Sequence, residues 1–234
     1  MSRPPTINVK RARRCLDCAE FAYLDFGIGN GAGSQLDYAL RTVGIGLINT
    51  YDRQHSQGFL AYADGDFILS VRGTSELGDW LSDLNYAKTD FRGGGRVHRG
   101  FYNQFLAIEP DIARDLNDFH DKPLLVTGHS LGAGPAQMAG VWFQATEGYV
   151  FGSPRVGNHD FVKRVRYPLV RFEHWTDPVC FVPPRTSPWI FTSALLHFRK
   201  PTFYDRAGKA VLLDGALHRM EHYRKSAVPY FDQL

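Results

Sequence analysis

Apolar positions along this 234-residue chain recur with two different periods, and the change of period divides it into elements. Ala12, Cys15, Leu16, Ala19, Ala22 and Tyr23 fall at i, i+3, i+4, i+7 spacing, which predicts an amphipathic helix over 7–24. Three β-rich runs follow at 44–51, 58–63 and 67–71, the last two separated by Asp64-Gly65, and these predict an antiparallel entry into a sheet. Leu77, Trp80, Leu81 and Leu84 return to helical spacing with Glu76, Asp79 and Asp83 off the stripe. A helix is expected over 101–119, a buried strand over 123–127 and a helix of small residues over 133–141. Strands are expected at 148–152 and 170–175, then a proline-rich connection over 182–188. A hairpin is expected from 196–204 with 211–214, turned at 205–208, and a short closing helix carries His218 and His222. No repeat, linker or low-complexity segment interrupts the pattern, so a single domain over 1–234 is expected.

Between the strand at 123–127 and the helix at 133–141 lies Gly128-His129-Ser130-Leu131-Gly132. A G-x-S-x-G between a buried strand and a helix is the setting of a nucleophile elbow, which holds the serine exposed in a sharp turn. The glycines let strand and helix approach, and the helix N-terminus favours negative charge developing there. Pro135 is compatible with that helix if it falls in the first turn. An elbow serine needs a base within hydrogen-bond reach and a carboxylate to orient the base. Asp177 follows the strand at 170–175 and precedes Pro178, where a catalytic acid or a plain turn residue would both fit. Downstream of it the candidate bases are His197, His218 and His222.

Composition narrows the rest. Hydrophobic residues make up 44% and charged residues 22%, the balance of an ordinary globular chain, and a net charge of +3 gives no case for nucleic acid. No apolar run is long enough to span a membrane. The first six residues lack the apolar core of a Sec-type signal, leaving a cytoplasmic or a secreted location both open. Three cysteines are an odd number for a disulfide framework, and Cys15-x-x-Cys18 lies on a helix face, so packed core thiols are expected. The glycine-rich stretch at 27–33 fits G-x-G-x-x-A on paper but lacks the strand and acidic residue of a dinucleotide site, and reads as a loop.

The motifs run in an order that resembles the class 3 lipases, the fungal triacylglycerol lipase type and its bacterial relatives. They are Arg72-Gly73-Thr74 with Asp79-Trp80-Leu81-x-Asp83-Leu84, then Val97-His98-x-Gly100-Phe101, then the pentapeptide around Ser130. They continue with Phe151-Gly152-Ser153-Pro154-Arg155-Val156-Gly157-Asn158, Asp177-Pro178-Val179 and His218-x-Met220-Glu221-x-Tyr223. The resemblance implies an α/β-hydrolase fold, a mixed and mostly parallel sheet flanked by helices with the elbow after a central strand. It implies Ser130 as nucleophile, Asp177 as orienting acid and His218 as base, and an oxyanion hole from the amides of Thr74 and Leu131. A lid helix is expected over 75–85, with Leu77, Trp80, Leu81 and Leu84, and His129 is grouped with these as substrate-facing. Two positions depart from the family pattern: Leu217 stands where Asp often precedes the base, and Gly132-Ala133-Gly134-Pro135 replaces Gly-Gly-Ala.

The implied activity is hydrolysis of carboxylic esters, foremost acylglycerols, with no cofactor or metal. The expected partner is a small ester or lipid substrate, with transient contact at a lipid interface. A phospholipase A1 or a small-ester or feruloyl esterase would use the same motifs, and a non-catalytic binding module would use the same fold. His218, Glu221 and His222 also spell H-x-x-E-H, a zinc-peptidase pattern that needs a further carboxylate well downstream, whereas the sequence ends at Leu234.

Overall fold

Side chains alternate across one central sheet and are sorted into two hydrophobic cores, one on each face. The computed structural model describes residues 6–27, 29–54, 56–73, 87–117, 122–185, 204–213 and 218–234. Strands β1 (Gly46–Arg53), β2 (Ser56–Ala63) and β3 (Asp66–Val71) form the antiparallel entry. Between β3 and the next sheet strand lies a two-stranded ribbon, β4 (Lys88–Asp90) with β5 (Arg96–His98). The sheet continues in parallel through β6 (Leu124–His129), β7 (Glu147–Phe151), β8 (Leu169–His174) and β9 (Lys209–Leu213), giving the order β1-β2-β3-β6-β7-β8-β9.

The helices are α1 (Val9–Phe21), α2 (Gln35–Thr42), α3 (Arg99–Asn117), α4 (Ala133–Trp142), α5 (His159–Val162) and α6 (Met220–Asp232). Ile68 and Leu125 point into the core shared with α1, α2 and α6, whereas Leu69, Val71, Leu124 and Val126 point into the core shared with α3 and α4. This is the period-2 sorting that a sheet covered on both faces requires. Helix α1 lies close on the sheet because its buried face is Ala12, Cys15, Leu16, Cys18 and Ala19. Two buried strand hydroxyls beneath it are satisfied by helix carbonyls: Ser70 Oγ donates to Cys18 O and Thr127 Oγ1 to Cys15 O, each at 3.0 Å. The cysteines are free and buried, and burial holds their thiols protonated.

The predicted first helix is found at Val9–Phe21, started by Asn8, whose side chain accepts from the Arg11 amide. Helix α2 was not legible, since eight residues with only Leu36 and Leu40 as apolar anchors leave too little period to count. Of the hairpin expected at 196–204 with 211–214, residues 196–203 and 214 lie outside the described residues. β9 extends the main sheet, pairing in parallel with β8, and Tyr204 belongs to no strand. Val211 and Leu213 are drawn there because they join the core that holds Tyr223 and Phe231 of α6. The amphipathic stripe at 75–85 also lies outside the described residues.

Candidate active site

The parallel strands end together, because β6 is in register with β3 at Gly128↔Val71 and with β7 at His129↔Phe151. At this carboxyl edge the chain leaves β6 through Ser130, whose φ is +56°. A left-handed conformation strains a residue with a Cβ and marks a site where the turn matters more than its local cost. The elbow closes because Gly132 has no side chain: a Cβ there would lie 2.2 Å from the Val71 carbonyl oxygen. Residues 130–132 form a 3₁₀ turn that runs into α4, and Pro135 falls in the first turn of that helix. Leu131, expected to give an oxyanion amide, is buried in this turn.

The end of β8 contributes the candidate acid. Past β8, Asp177 caps the short turn Pro178–Phe181, its Oδ1 accepting from the Val179 amide at 2.9 Å. The other carboxyl oxygen, Oδ2, accepts from His218 Nδ1 and from the Tyr223 hydroxyl, both at 2.6 Å. Burial alone would raise the Asp177 carboxyl. The hydrogen bond and charge of His218, then the Tyr223 hydroxyl and the Val179 amide, outweigh it and hold the group below the usual carboxylate range.

A carboxylate can only accept, so the proton of a neutral His218 sits on Nδ1 and Nε2 presents its lone pair. Ser130 Oγ and His218 Nε2 are both buried, and neither has a hydrogen-bond partner among the described residues. The His218 ring lies over the end of β7 against Gly152. A base oriented by an acid and a buried hydroxyl in a strained turn are the components of nucleophilic acyl transfer.

His129 is turned inward. It is 4% exposed, and its ring stacks on that of His218 with centroids 4.7 Å apart. Both ring nitrogens are taken up by protein groups, Nε2 by the His218 carbonyl oxygen at 2.7 Å and Nδ1 by the Tyr23 hydroxyl at 2.8 Å. Burial, with the neighbouring His218 adding, pushes its pKa down to about 3.

His222 points elsewhere, pairing with Glu221 at the surface with Nε2 3.3 Å from the carboxylate. Of the residues named from sequence, the structure therefore gathers Ser130, Leu131, Asp177, His218 and His129. Thr74, Leu77, Trp80, Leu81, Leu84 and His197 lie outside the described residues. Tyr223 stood in a sequence motif without a role, and Tyr23 was visible only as part of a helix stripe.

A sheet of this order with helices on both faces and an elbow after a central parallel strand is the α/β-hydrolase arrangement. The fold is shared with the triacylglyceride lipase of Rhizomucor miehei (TM-score 0.71, 19% identity, 91% of this chain and 83% of that one). The family Lipase (class 3) matches residues 68–187, about half of the chain, and the protein belongs to that family. Similar curated proteins include the secreted mono- and diacylglycerol lipase A of Penicillium cyclopium, 28% identical over 141 residues covering 54% of this chain and 46% of that protein. Another is the secreted mono- and diacylglycerol lipase 1 of Fusarium solani, 31% identical over 134 residues covering 51% and 40%. The chain thus spans less than half the length of these relatives. Among the described residues no helix is long and apolar enough to cross a membrane.

Proposed function

We propose that the protein is a carboxylic ester hydrolase of lipase type, working through Ser130, His218 and Asp177. The observation that carries this reading is the 2.6 Å contact between His218 Nδ1 and Asp177 Oδ2. Asp177 fixes the proton on Nδ1 and leaves Nε2 as a base on the same strand edge as the Ser130 hydroxyl. In the reaction His218 takes the Ser130 proton as Oγ attacks the ester carbonyl, then returns it to the leaving alcohol. A water deprotonated by the same nitrogen releases the acid. The amides of Leu131 and Thr74 are assigned to the developing oxyanion, where each donor is worth roughly 2.7–4 kcal/mol in such sites.

An acylglycerol is the proposed substrate, supported by relatives named as mono- and diacylglycerol lipases. Residues 75–85 are assigned as a lid whose stripe of Leu77, Trp80, Leu81 and Leu84 meets the lipid interface.

The test is hydrolysis of a chain-length series of nitrophenyl esters, followed below and above the solubility limit. Ser130→Ala should remain folded and lose on the order of 10⁶-fold in activity, and residual activity within about tenfold of the parent would sink the mechanism. Activity of the parent should jump as a long-chain ester passes its solubility limit, and Trp80→Ser should flatten the jump. A smooth curve through that limit favours a soluble-ester esterase over a lipase.

A further inference from the structure

We propose that Tyr23 and His129 are positioning residues, which tie the main chain of His218 to the strand end that leads into the oxyanion loop. The proposal rests on the ester-hydrolase reading above. A carbonyl oxygen can only accept, so the 2.7 Å contact to His218 O requires His129 to carry its proton on Nε2. Being neutral, His129 must then accept at Nδ1, and the Tyr23 hydroxyl is the donor. The Tyr23 oxygen lies against the Gly73 backbone, so close that a Cβ on Gly73 would be 2.5 Å from it.

One directed chain therefore runs from the Tyr23 hydroxyl, seated against Gly73, to His129 and on to the carbonyl of His218. Gly73 precedes Thr74, the assigned oxyanion residue, and the last member of the chain is the assigned base. His218 precedes α6 and lies on no strand, so no sheet ladder fixes its backbone. Asp177 fixes the ring at Nδ1, but where Nε2 sits also depends on that backbone. A misplacement of about 1 Å at a reacting atom costs about 10²-fold in rate. The chain also gives the amino-terminal segment a catalytic purpose, although Tyr23 lies outside the stretch matched to the family.

Tyr23→Phe removes the hydroxyl and keeps the ring, which packs edge-on against His129 at 5.7 Å and under the Arg72 guanidinium. Turnover of a short soluble nitrophenyl ester by Tyr23→Phe should fall about ten- to a hundredfold in kcat, with KM changed by less than about twofold. Tyr51→Phe is the control, since it also deletes a buried tyrosine hydroxyl, one bonded to Asp115 beneath α3, and it should leave kcat unchanged. His129→Gln can still donate to the His218 carbonyl and should keep more activity than His129→Leu. Adding Tyr23→Phe to His129→Leu should cost nothing further, because the chain is already cut.

The proposal is overturned if Tyr23→Phe stays within about twofold of the parent in kcat, if Tyr51→Phe loses as much, or if the losses at 23 and 129 are additive. If His129→Leu does not fold, the comparison of Tyr23→Phe with Tyr51→Phe decides alone. Loss of activity in Ser130→Ala together with an unaffected Tyr23→Phe discards this inference and leaves the hydrolase reading intact. An active Ser130→Ala discards both.

Discussion

The hydroxyl of Tyr223 donates to Oδ2 of Asp177 at 2.6 Å, and this is the oxygen that also holds His218 Nδ1. Tyr223 accepts the His174 amide in turn and stacks on the His174 ring with centroids 4.0 Å apart. Asp177, the proposed acid, is therefore oriented from α6 as well as from its own turn.

Tyr223→Phe should reduce kcat by about tenfold, since one of three donors to the carboxylate is lost while the acid and base remain. It should also destabilise the protein by about 1–3 kcal/mol in urea unfolding, because the His174 amide is left without its acceptor in a buried site. The sign for Asp177 is upward: with a donor removed its pKa rises toward the ordinary value, so the acid limb of the pH–rate profile should move to higher pH.

Asp177→Asn keeps the shape and reverses the hydrogen-bond logic. An amide at this position can present an N–H to His218 Nδ1 and favour the tautomer whose Nε2 carries the proton. Turnover should fall on the order of 10⁴-fold, as it does when a triad acid becomes an amide. Steady-state kinetics on a soluble ester, with thermal unfolding as a check of the fold, measures both sides.

Gly132→Ala should injure the elbow. Its Cβ would fall 2.2 Å from the Val71 carbonyl oxygen and 2.7 Å from the Arg72 carbonyl carbon, both backbone atoms that move only with β3. A loss of about 1–3 kcal/mol in stability is expected from forced overpacking of this kind. Activity should fall by more than the fraction unfolded accounts for, because the shifted segment is the one that leads to Thr74.

Acid should weaken the fold through His129. In the unfolded chain this residue takes up a proton near pH 6.5, whereas in the folded state burial delays protonation to about pH 3. Between those values the unfolded state binds more protons, so stability falls as pH falls, by about 1.4 kcal/mol per pH unit from this group. Urea midpoints taken from pH 7 to pH 4.5 should show a shallower slope in His129→Gln than in the parent. Equal slopes would mean that His129 is protonated in the folded state.

Thr127→Val tests how α1 is seated. The hydroxyl lies 3.0 Å from Cys15 O and 2.7 Å from Tyr149 O in a fully buried position, and its single proton is donated to these two carbonyls in turn. Its replacement by a methyl should cost about 1–2 kcal/mol, and KM for a soluble ester should not change.

By itself the sequence determined the elements whose chemistry is local. The strand-turn-helix around Ser130 was legible because a G-x-S-x-G between an apolar run and small residues admits few other geometries. The period of α1 was legible because one face of it is buried, whereas β2 and β3, largely buried on both faces, were legible as β-rich runs split by the turn signal Asp64-Gly65. Asp177 and His218 could be named only through ordered motifs, because their separation by 41 positions says nothing of the 2.6 Å between their side-chain atoms.

Only the tertiary structure decided which neighbours each group acquires. It set β9 in parallel beside β8, because Val211 and Leu213 find the core under α6 there. It turned His129 inward onto Tyr23, a residue 106 positions earlier, and Tyr223 onto Asp177, 46 positions earlier. A hydrogen bond between distant residues leaves no period and no turn signal in the chain. It exists only once two strand ends, the end of one helix and the start of another have been packed to the same edge of the sheet.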